Sequence, residues 1–215
     1  MIRRTDYSPP LLLLTDWDGV ICNSAPVLWQ LYCEIVRPVD WREFKIFLEN
    51  RKLTEPILPG RLRDYAEHLS KAELFEGALS FLEYAMQLGV PVAVVSNSSQ
   101  QIIQAISERN SIAPLISRIY TSDDNLKKPS PELFELVMSD FGFTEKSILV
   151  VGDELTDVEF IEGREVRFVY CSYGFGALSA VTRRLNEIGN IPFEIAHDCA
   201  DLALILERMI SARPS

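Results

Sequence analysis

Asp16 and Asp18 stand one residue apart at the end of the leucine run 11–14, with Gly19 directly after them. Two carboxylates so close together at the mouth of a turn invite a cation, and a strand end is where chemistry is usually done. A run this short and apolar reads as a strand buried on both faces of a parallel sheet. In open α/β sheets, ligands bind just beyond the carboxyl ends of such strands. The stretch 148–151, followed by Gly152 and Asp153, repeats the arrangement, and Asp157 comes four residues later on the same face of any helix that follows. Oxygen donors of this kind suit Mg²⁺, a hard cation that keeps several waters. An Asx turn at Asp153, with Asp157 as a helix-start charge, would use the same residues. The metal-binding reading leads slightly, because Asp16 and Asp153 would come from equivalent strand ends.

Two further places carry candidate chemistry. The apolar run 92–95 leads into Ser96-Asn97-Ser98-Ser99. Backbone N–H groups at a helix start, joined by a hydroxyl, make an anion site suited to phosphate. Taken alone, these residues read first as a plain N-cap. Lys127-Lys128 stands before Pro129-Ser130-Pro131. A lysine fixed by the following proline can neutralise charge at a site, whereas an isolated basic pair in a loop is more often just solvated.

These residues need elements to hold them. Six apolar runs read as strands, at 10–16, 90–96, 117–121, 147–152, 166–171 and 192–196. Helical periodicity lies between most of them. The stretch 77–88 places Leu79, Leu82, Ala85 and Met86 on one face and closes on Gly89. Stretches 99–109 and 131–141 behave similarly, the second opening with Ser130 as cap and Pro131 at the first helical position. Such alternation predicts an α/β fold, a doubly wound parallel sheet covered on both faces. Residues 24–75 interrupt it with no convincing strand and three helical segments, near 25–36, 40–50 and 60–70. The predicted organisation is an α/β core of 1–21 and 76–215 with a small inserted α-helical cap over 22–75.

With 215 residues, the chain is long enough for one substantial core plus such an insertion. No apolar stretch approaches the roughly 18 residues of a membrane span. The basic start Met1–Arg4 and the short run after it do not make a signal peptide. The net charge of −10 argues against a nucleic-acid surface. That charge is uneven: residues 22–75 hold eight basic and eight acidic side chains, so the whole excess lies elsewhere. Cys22, Cys33, Cys171 and Cys199 show neither zinc-site spacing nor a disulfide pattern, and a reducing cytoplasm is the expected location. Nothing in the sequence speaks to oligomeric state. His68 and His197 read as surface or packing residues; Trp17, Trp29 and Trp41 read as packing the lid and its hinge before stacking a substrate, with Trp17 near enough to the site to leave the second use open. Arg37, Arg42, Lys45, Arg51 and Lys52 are candidate substrate-facing charges in the insertion, although a solvated helix face explains each equally well.

The order of the motifs is more specific than any one of them. Asp-x-Asp-Gly, then Ser-Asn, then Lys-Pro, then Gly-Asp-x-x-x-Asp, each after its own strand, resembles the four motifs of the haloacid dehalogenase-like hydrolase superfamily. The resemblance covers nearly the whole chain, and Ser172-Tyr173-Gly174-Phe175-Gly176 is similar to a segment of its phosphoglycolate-phosphatase-like members. It implies a Rossmann-like core and Mg²⁺-dependent hydrolysis of a small phosphorylated metabolite. In that scheme Asp16 is the nucleophile, giving an aspartyl-phosphate, and Asp18 the acid and then the base. Ser96, Asn97 and Lys128 serve the phosphoryl group. The metal ligands are Asp16, the Asp18 carbonyl and Asp153, with Asp157 as a further ligand or a support. Asp18 favours phosphate esters, since the dehalogenase branch needs no leaving-group acid. Glu154, Arg164 and Glu165 depart from the common pattern. The rivals are a phosphomutase of the same fold, phosphonate cleavage through Lys45 or Lys52, and a non-catalytic binding protein.

Overall fold

The computed structural model describes residues 11–36, 42, 67–124, 126–189 and 191–211. Six parallel strands form one sheet: β1 (Leu12–Thr15), β4 (Val92–Val95), β5 (Arg118–Tyr120), β6 (Ile148–Gly152), β7 (Arg167–Cys171) and β8 (Phe193–Ala196). Each lies inside the span expected for it. Their order is β5-β4-β1-β6-β7-β8. From β1 the chain winds outward through β4 to β5, then crosses to β6 and winds the other way. The reversal lies between β1 and β6, where an open α/β sheet opens a crevice at its carboxyl edge. Asp16 follows β1 and Asp153 follows β6, so the two carboxylates flank that crevice.

Alternation along the strands explains why both faces need cover. Leu13, Val92, Val94, Leu149, Val151 and Val169 point into one buried cluster. Leu12, Leu14, Ala93, Val95, Ile148, Val150 and Phe168 point into the other. The first face is covered by helices α2 (Ala78–Gln87), α3 (Gln100–Arg109) and α7 (Cys199–Ser211). The second is covered by α4 (Pro131–Phe141), α5 (Leu155–Phe160) and α6 (Leu178–Ile188). This is a doubly wound sheet. No helix among the described residues is long and apolar enough to cross a membrane.

Two expectations need correction. The buried face of α2 is Ala78, Phe81, Leu82 and Ala85, not the face carrying Leu79 and Met86. Those two are 41% and 54% exposed. Both sets keep helical spacing, but only the observed one buries the Phe81 ring, which is the larger apolar gain. The second correction is a strand inside 24–75. β2 (Cys22–Asn23) and β3 (Glu73–Leu74) pair antiparallel, Cys22 with Leu74 and Asn23 with Glu73. A two-residue ladder is too short to leave a periodic signal.

The chain thus leaves the core through β2 and returns through β3. Helix α1 (Ala25–Val36) matches the first expected insertion helix. The other two, near 40–50 and 60–70, lie largely outside the described residues, as does the N-terminal tail. Arg109 on α3 secures the return, donating from its guanidinium to the carbonyls of Ser70 and Ala72.

Candidate active site

The first carboxylate is set by the sheet itself. Asp16 N donates to Val151 O at 2.9 Å, prolonging the β1–β6 ladder by one residue. Trp17 N then donates to Asp16 Oδ1 at 2.7 Å, which fixes the side chain. The next residues fold into a tight turn, with the N–H groups of Ile21 and Cys22 donating to Trp17 O at 3.0 and 2.8 Å. Gly19 makes the turn possible: its φ is +81°, and a Cβ there would lie 2.2 Å from an oxygen of Asp153. Trp17 is fully buried and packs in the core cluster. Asp18 is half-buried at the rim, and its Oδ2 accepts a hydrogen bond from Ser98 Oγ.

Lys128 comes in from the loop after β5 and is buried. Its Nζ lies 2.9 Å from Asp16 Oδ2 and 2.6 Å from Asp157 Oδ1. Asn97 holds the Lys128 backbone from the neighbouring loop. Lys128 N donates to Asn97 Oδ1 at 2.9 Å, and Asn97 Nδ2 donates to Lys128 O at 3.2 Å. Both ends of the Asn97 amide are used in this clasp. Ser96 is also buried, and its Oγ accepts from Ser98 N at 3.1 Å. With that lone pair engaged, the hydroxyl proton of Ser96 can turn toward a bound anion. The serines do not act as plain helix caps: Ser99 makes no side-chain capping bond. Asp123 Oδ2 instead accepts from Gln100 N at 2.8 Å.

On the other side of the crevice, Asp153 is fully buried. Its Oδ2 accepts from Phe175 N at 2.6 Å and from Gly176 N at 3.4 Å. Its Oδ1 is buried without a hydrogen-bond donor. Asp157 has both oxygens engaged: Oδ1 by Lys128, and Oδ2 by the N–H groups of Asp153 and Glu154, each at 3.0 Å. It therefore caps the start of α5 and pairs with Lys128 at once, while the Asp153 side chain turns to Phe175 and Gly176 and forms no Asx turn. Glycines make room for these groups. A Cβ on Gly174 would meet Asp153 Cβ at 2.4 Å, one on Gly176 would meet Asp153 O at 1.9 Å, and one on Gly152 would meet Asp157 Cγ at 2.4 Å.

The electrostatics follow from burial. Desolvation pushes the Asp16 carboxyl up to about 7, against the pull of Lys128 and with the push of Asp157. Burial, reinforced by Glu154, Asp157 and Asp16, raises Asp153 well above the usual carboxylate range. Burial opposes the charge on Lys128, but Asp157 and Asp16 outweigh it and hold the ammonium above its ordinary pKa. Asp16, Asp153 and Asp157 each bring a carboxylate oxygen within 4.8 Å of the others. Three buried carboxylates thus face one buried ammonium. Buried charge without a partner is costly, and the donor-free oxygen of Asp153 is an acceptor that a cation would satisfy. An all-oxygen donor set with excess negative charge fits a hard divalent cation such as Mg²⁺.

The structure brings Asp16, Lys128, Asp153 and Asp157 into direct contact or close approach, with Asp18, Ser96 and Asn97 around them. Sequence reasoning missed Ser98, which touches Asp18, and the backbone of Phe175 and Gly176, which holds Asp153. For the second, the glycine spacing of 174 and 176 was the available signal. His197 Nδ1 sits 2.9 Å from Ser172 Oγ, outside this cluster. Of the five candidate cations in the insertion, only Arg42 is among the described residues, and it is exposed. A groove of about 780 Å³ bordered by Lys146, Arg164 and Arg167 lies at the amino ends of β6 and β7. It is at the wrong edge of the sheet for this chemistry, and much of its charge is internally paired.

Residues 41–170, more than half of the chain, match the family model described as haloacid dehalogenase-like hydrolase. The chain belongs to that family and is an enzyme of the hydrolase class. Among its relatives is a phosphoglycolate phosphatase of Pseudomonas savastanoi pv. phaseolicola, 24% identical over 192 residues that cover 77% of this chain and 71% of the relative. Among solved structures, a haloacid dehalogenase-like family protein from Streptococcus pneumoniae superposes with a TM-score of 0.74 at 14% identity, covering 92% of this chain and 98% of its own. CbbY from Rhodobacter sphaeroides, solved in complex with phosphate, gives 0.67 at 16% identity over 90% of this chain and 96% of that one.

Proposed function

We propose that the protein hydrolyses a small phosphomonoester in a Mg²⁺-dependent reaction that passes through an aspartyl-phosphate on Asp16. The observation that carries this reading is the Lys128 ammonium, bonded to Asp16 Oδ2 and to Asp157 Oδ1 beside the donor-free oxygen of Asp153. A carboxylate so held has one face tied to a cation and is oriented to attack. Phosphoryl transfer needs in-line positioning and charge neutralisation more than unusual covalent chemistry. Asp16 would attack phosphorus while Asp18 gives a proton to the departing alcohol. Asp18 would then take a proton from the water that releases phosphate. Ser96 and Lys128 would hold the phosphoryl oxygens, and Asn97 would hold the loop of Lys128.

Asp16, the Asp18 carbonyl and Asp153 would bind the metal. Asp157, with both oxygens engaged by protein donors, is better placed to support Lys128 than to ligate. When bound, Mg²⁺ supplies positive charge for the phosphoryl oxygens and the attacking carboxylate. Residues 22–75, leaving by β2 and returning by β3, would serve as a helical cap that shields the crevice from bulk water. The phosphatase relative and the phosphate-bound structure of this fold support a phosphorylated small molecule as substrate.

The test is phosphate release from a panel of phosphorylated metabolites, phosphoglycolate included, with and without Mg²⁺, alongside Asp16→Asn. Wild type should turn over at least one ester only with the metal, and the variant should lose roughly 10⁴-fold or more. Acid quenching should trap labelled phosphate on the wild-type chain alone. Undiminished turnover by Asp16→Asn would remove the nucleophile from the scheme.

A further inference from the structure

Ser98 is the residue whose placement none of the four motif roles explains. Its backbone N–H donates to Ser96 Oγ at 3.1 Å, and its hydroxyl donates to Asp18 Oδ2. One residue therefore ties the hydroxyl expected to hold the phosphoryl group to the carboxylate expected to move protons. The two come from different strand ends, Asp18 after β1 and Ser98 after β4. Among the described residues, Ser98 supplies the side-chain hydrogen bond to the Asp18 carboxylate. Asp18 is half-buried at the rim of the crevice, where an unrestrained carboxylate would sample several rotamers.

We propose that Ser98 is a positioning residue for proton transfer: it occupies Oδ2 of Asp18 and presents Oδ1 to the ester oxygen that leaves. This rests on the reading of Asp18 as the acid. In the first step a carboxylate oxygen of Asp16 forms a bond to phosphorus. The bond from phosphorus to the ester oxygen breaks, its electron pair stays on that oxygen, and the proton on Asp18 Oδ1 moves there. In the second step Asp18 Oδ1 takes a proton from water as the water oxygen bonds to phosphorus and the Asp16–phosphorus bond breaks. Phosphate leaves, the Asp16 carboxylate is restored, and Asp18 is again protonated. Throughout, the Ser98 proton stays on Ser98. Holding a proton donor to within a fraction of an ångström of its acceptor is what makes general acid catalysis effective.

The leaving group tells this role from a merely structural one. An alkoxide needs a proton as it departs, whereas 4-nitrophenolate does not. The value of kcat/KM covers steps only through formation of the phosphoenzyme, so it isolates the departure step. Ser98→Ala, Ser98→Thr and Asp18→Asn should be assayed with Mg²⁺ on 4-nitrophenyl phosphate and on the best alkyl phosphate of the panel. For Ser98→Ala, kcat/KM should fall roughly tenfold or more on the alkyl ester and less than about threefold on the aryl ester. Ser98→Thr, which keeps a hydroxyl, should restore most of the loss. A fall in Ser98→Ala that is equal for both esters, or no fall at all, overturns the proposal while Asp18→Asn still discriminates between them. Equal losses on both esters in Asp18→Asn would overturn the acid role of Asp18, and the proposal with it.

Discussion

At the scale of single residues, Lys128 is the balance point of the site. Among the described residues it is the buried ammonium set against Asp16, Asp153 and Asp157, and its loop is held by Asn97. Removing one partner of a buried ion pair leaves the others desolvated and unpaired, which typically costs about 3–5 kcal/mol. Lys128→Met should therefore abolish turnover and also weaken the fold measurably in urea denaturation without metal. The size of that weakening should depend on pH. Without Lys128 the Asp16 carboxyl, already pushed up to about 7 by burial, is driven higher still, and protonation relieves the unpaired charge. A carboxyl whose folded pKa lies above its unfolded value contributes stability below the unfolded value and loses it as pH rises through the folded one. The variant should thus fall further behind wild type at about pH 8 than at about pH 5. An equal deficit at both would show that charge, as opposed to packing of the lysine stem, is not what Lys128 contributes.

At the scale of elements, the loop from β7 to α6 holds Asp153, and its glycines permit the approach. A Cβ at Gly176 would come within 1.9 Å of Asp153 O, whereas one at Gly142, which ends α4 at φ +68°, would meet nothing within 4 Å. Gly142→Ala should lose about 1–2 kcal/mol through its left-handed backbone alone and keep full activity. Gly176→Ala should lose a similar amount or more and also lose most turnover, because Asp153 must move. Thermal melts beside kcat/KM for the pair would decide it; equal activity in both variants would mean that Asp153 is not held from this loop. The same loop shows what can be read from a sequence. Runs such as 92–95 and 148–151 announced strands because burial on both faces demands continuous apolar residues. The strand ends then placed Asp16, Ser96 and Asp153 without further help. Backbone donors such as Phe175 N leave no residue-type signature, and Ser98 was hidden because a serine at a helix start already has an ordinary use. The inward face of α2 is ambiguous in the sequence for a related reason: Leu79 and Met86 keep the helical period, and only packing of Phe81 shows which face turns inward.

At the scale of the whole molecule, the cluster of buried carboxylates should couple the stability of the fold to pH and, on the proposed reading, to a metal ion. Asp16 and Asp153 both have folded pKa values above their ordinary range, Asp16 near 7. Between about pH 4 and pH 7 the metal-free folded chain therefore binds more protons at these sites than the unfolded chain does, so their contribution to stability declines as pH rises. Lys128, held above its ordinary pKa, contributes equally across this window and does not alter the sign. A divalent cation held there, as proposed, would reverse the trend, because it would bind the ionised carboxylates and only in the folded state. At a hundredfold excess over its dissociation constant it would add about 2.7 kcal/mol, and a chain of this size gains roughly 2–4 °C in Tm per kcal/mol. Melts in EDTA should show Tm falling from about pH 5 to about pH 8, with saturating Mg²⁺ adding on the order of 5–10 °C at the upper end and little at the lower. The chain's net charge of −10 adds its own repulsion at high pH, but that is a surface effect screened by salt, so the comparison belongs at high ionic strength. Asp153→Asn separates the two: without its ionisable group the pH decline in EDTA should become shallower, leaving the share of Asp16, and the Mg²⁺ increment should largely vanish. A Mg²⁺ increment that survives unchanged in Asp153→Asn, or that is larger at about pH 5 than at about pH 8, would place the cation elsewhere on the molecule.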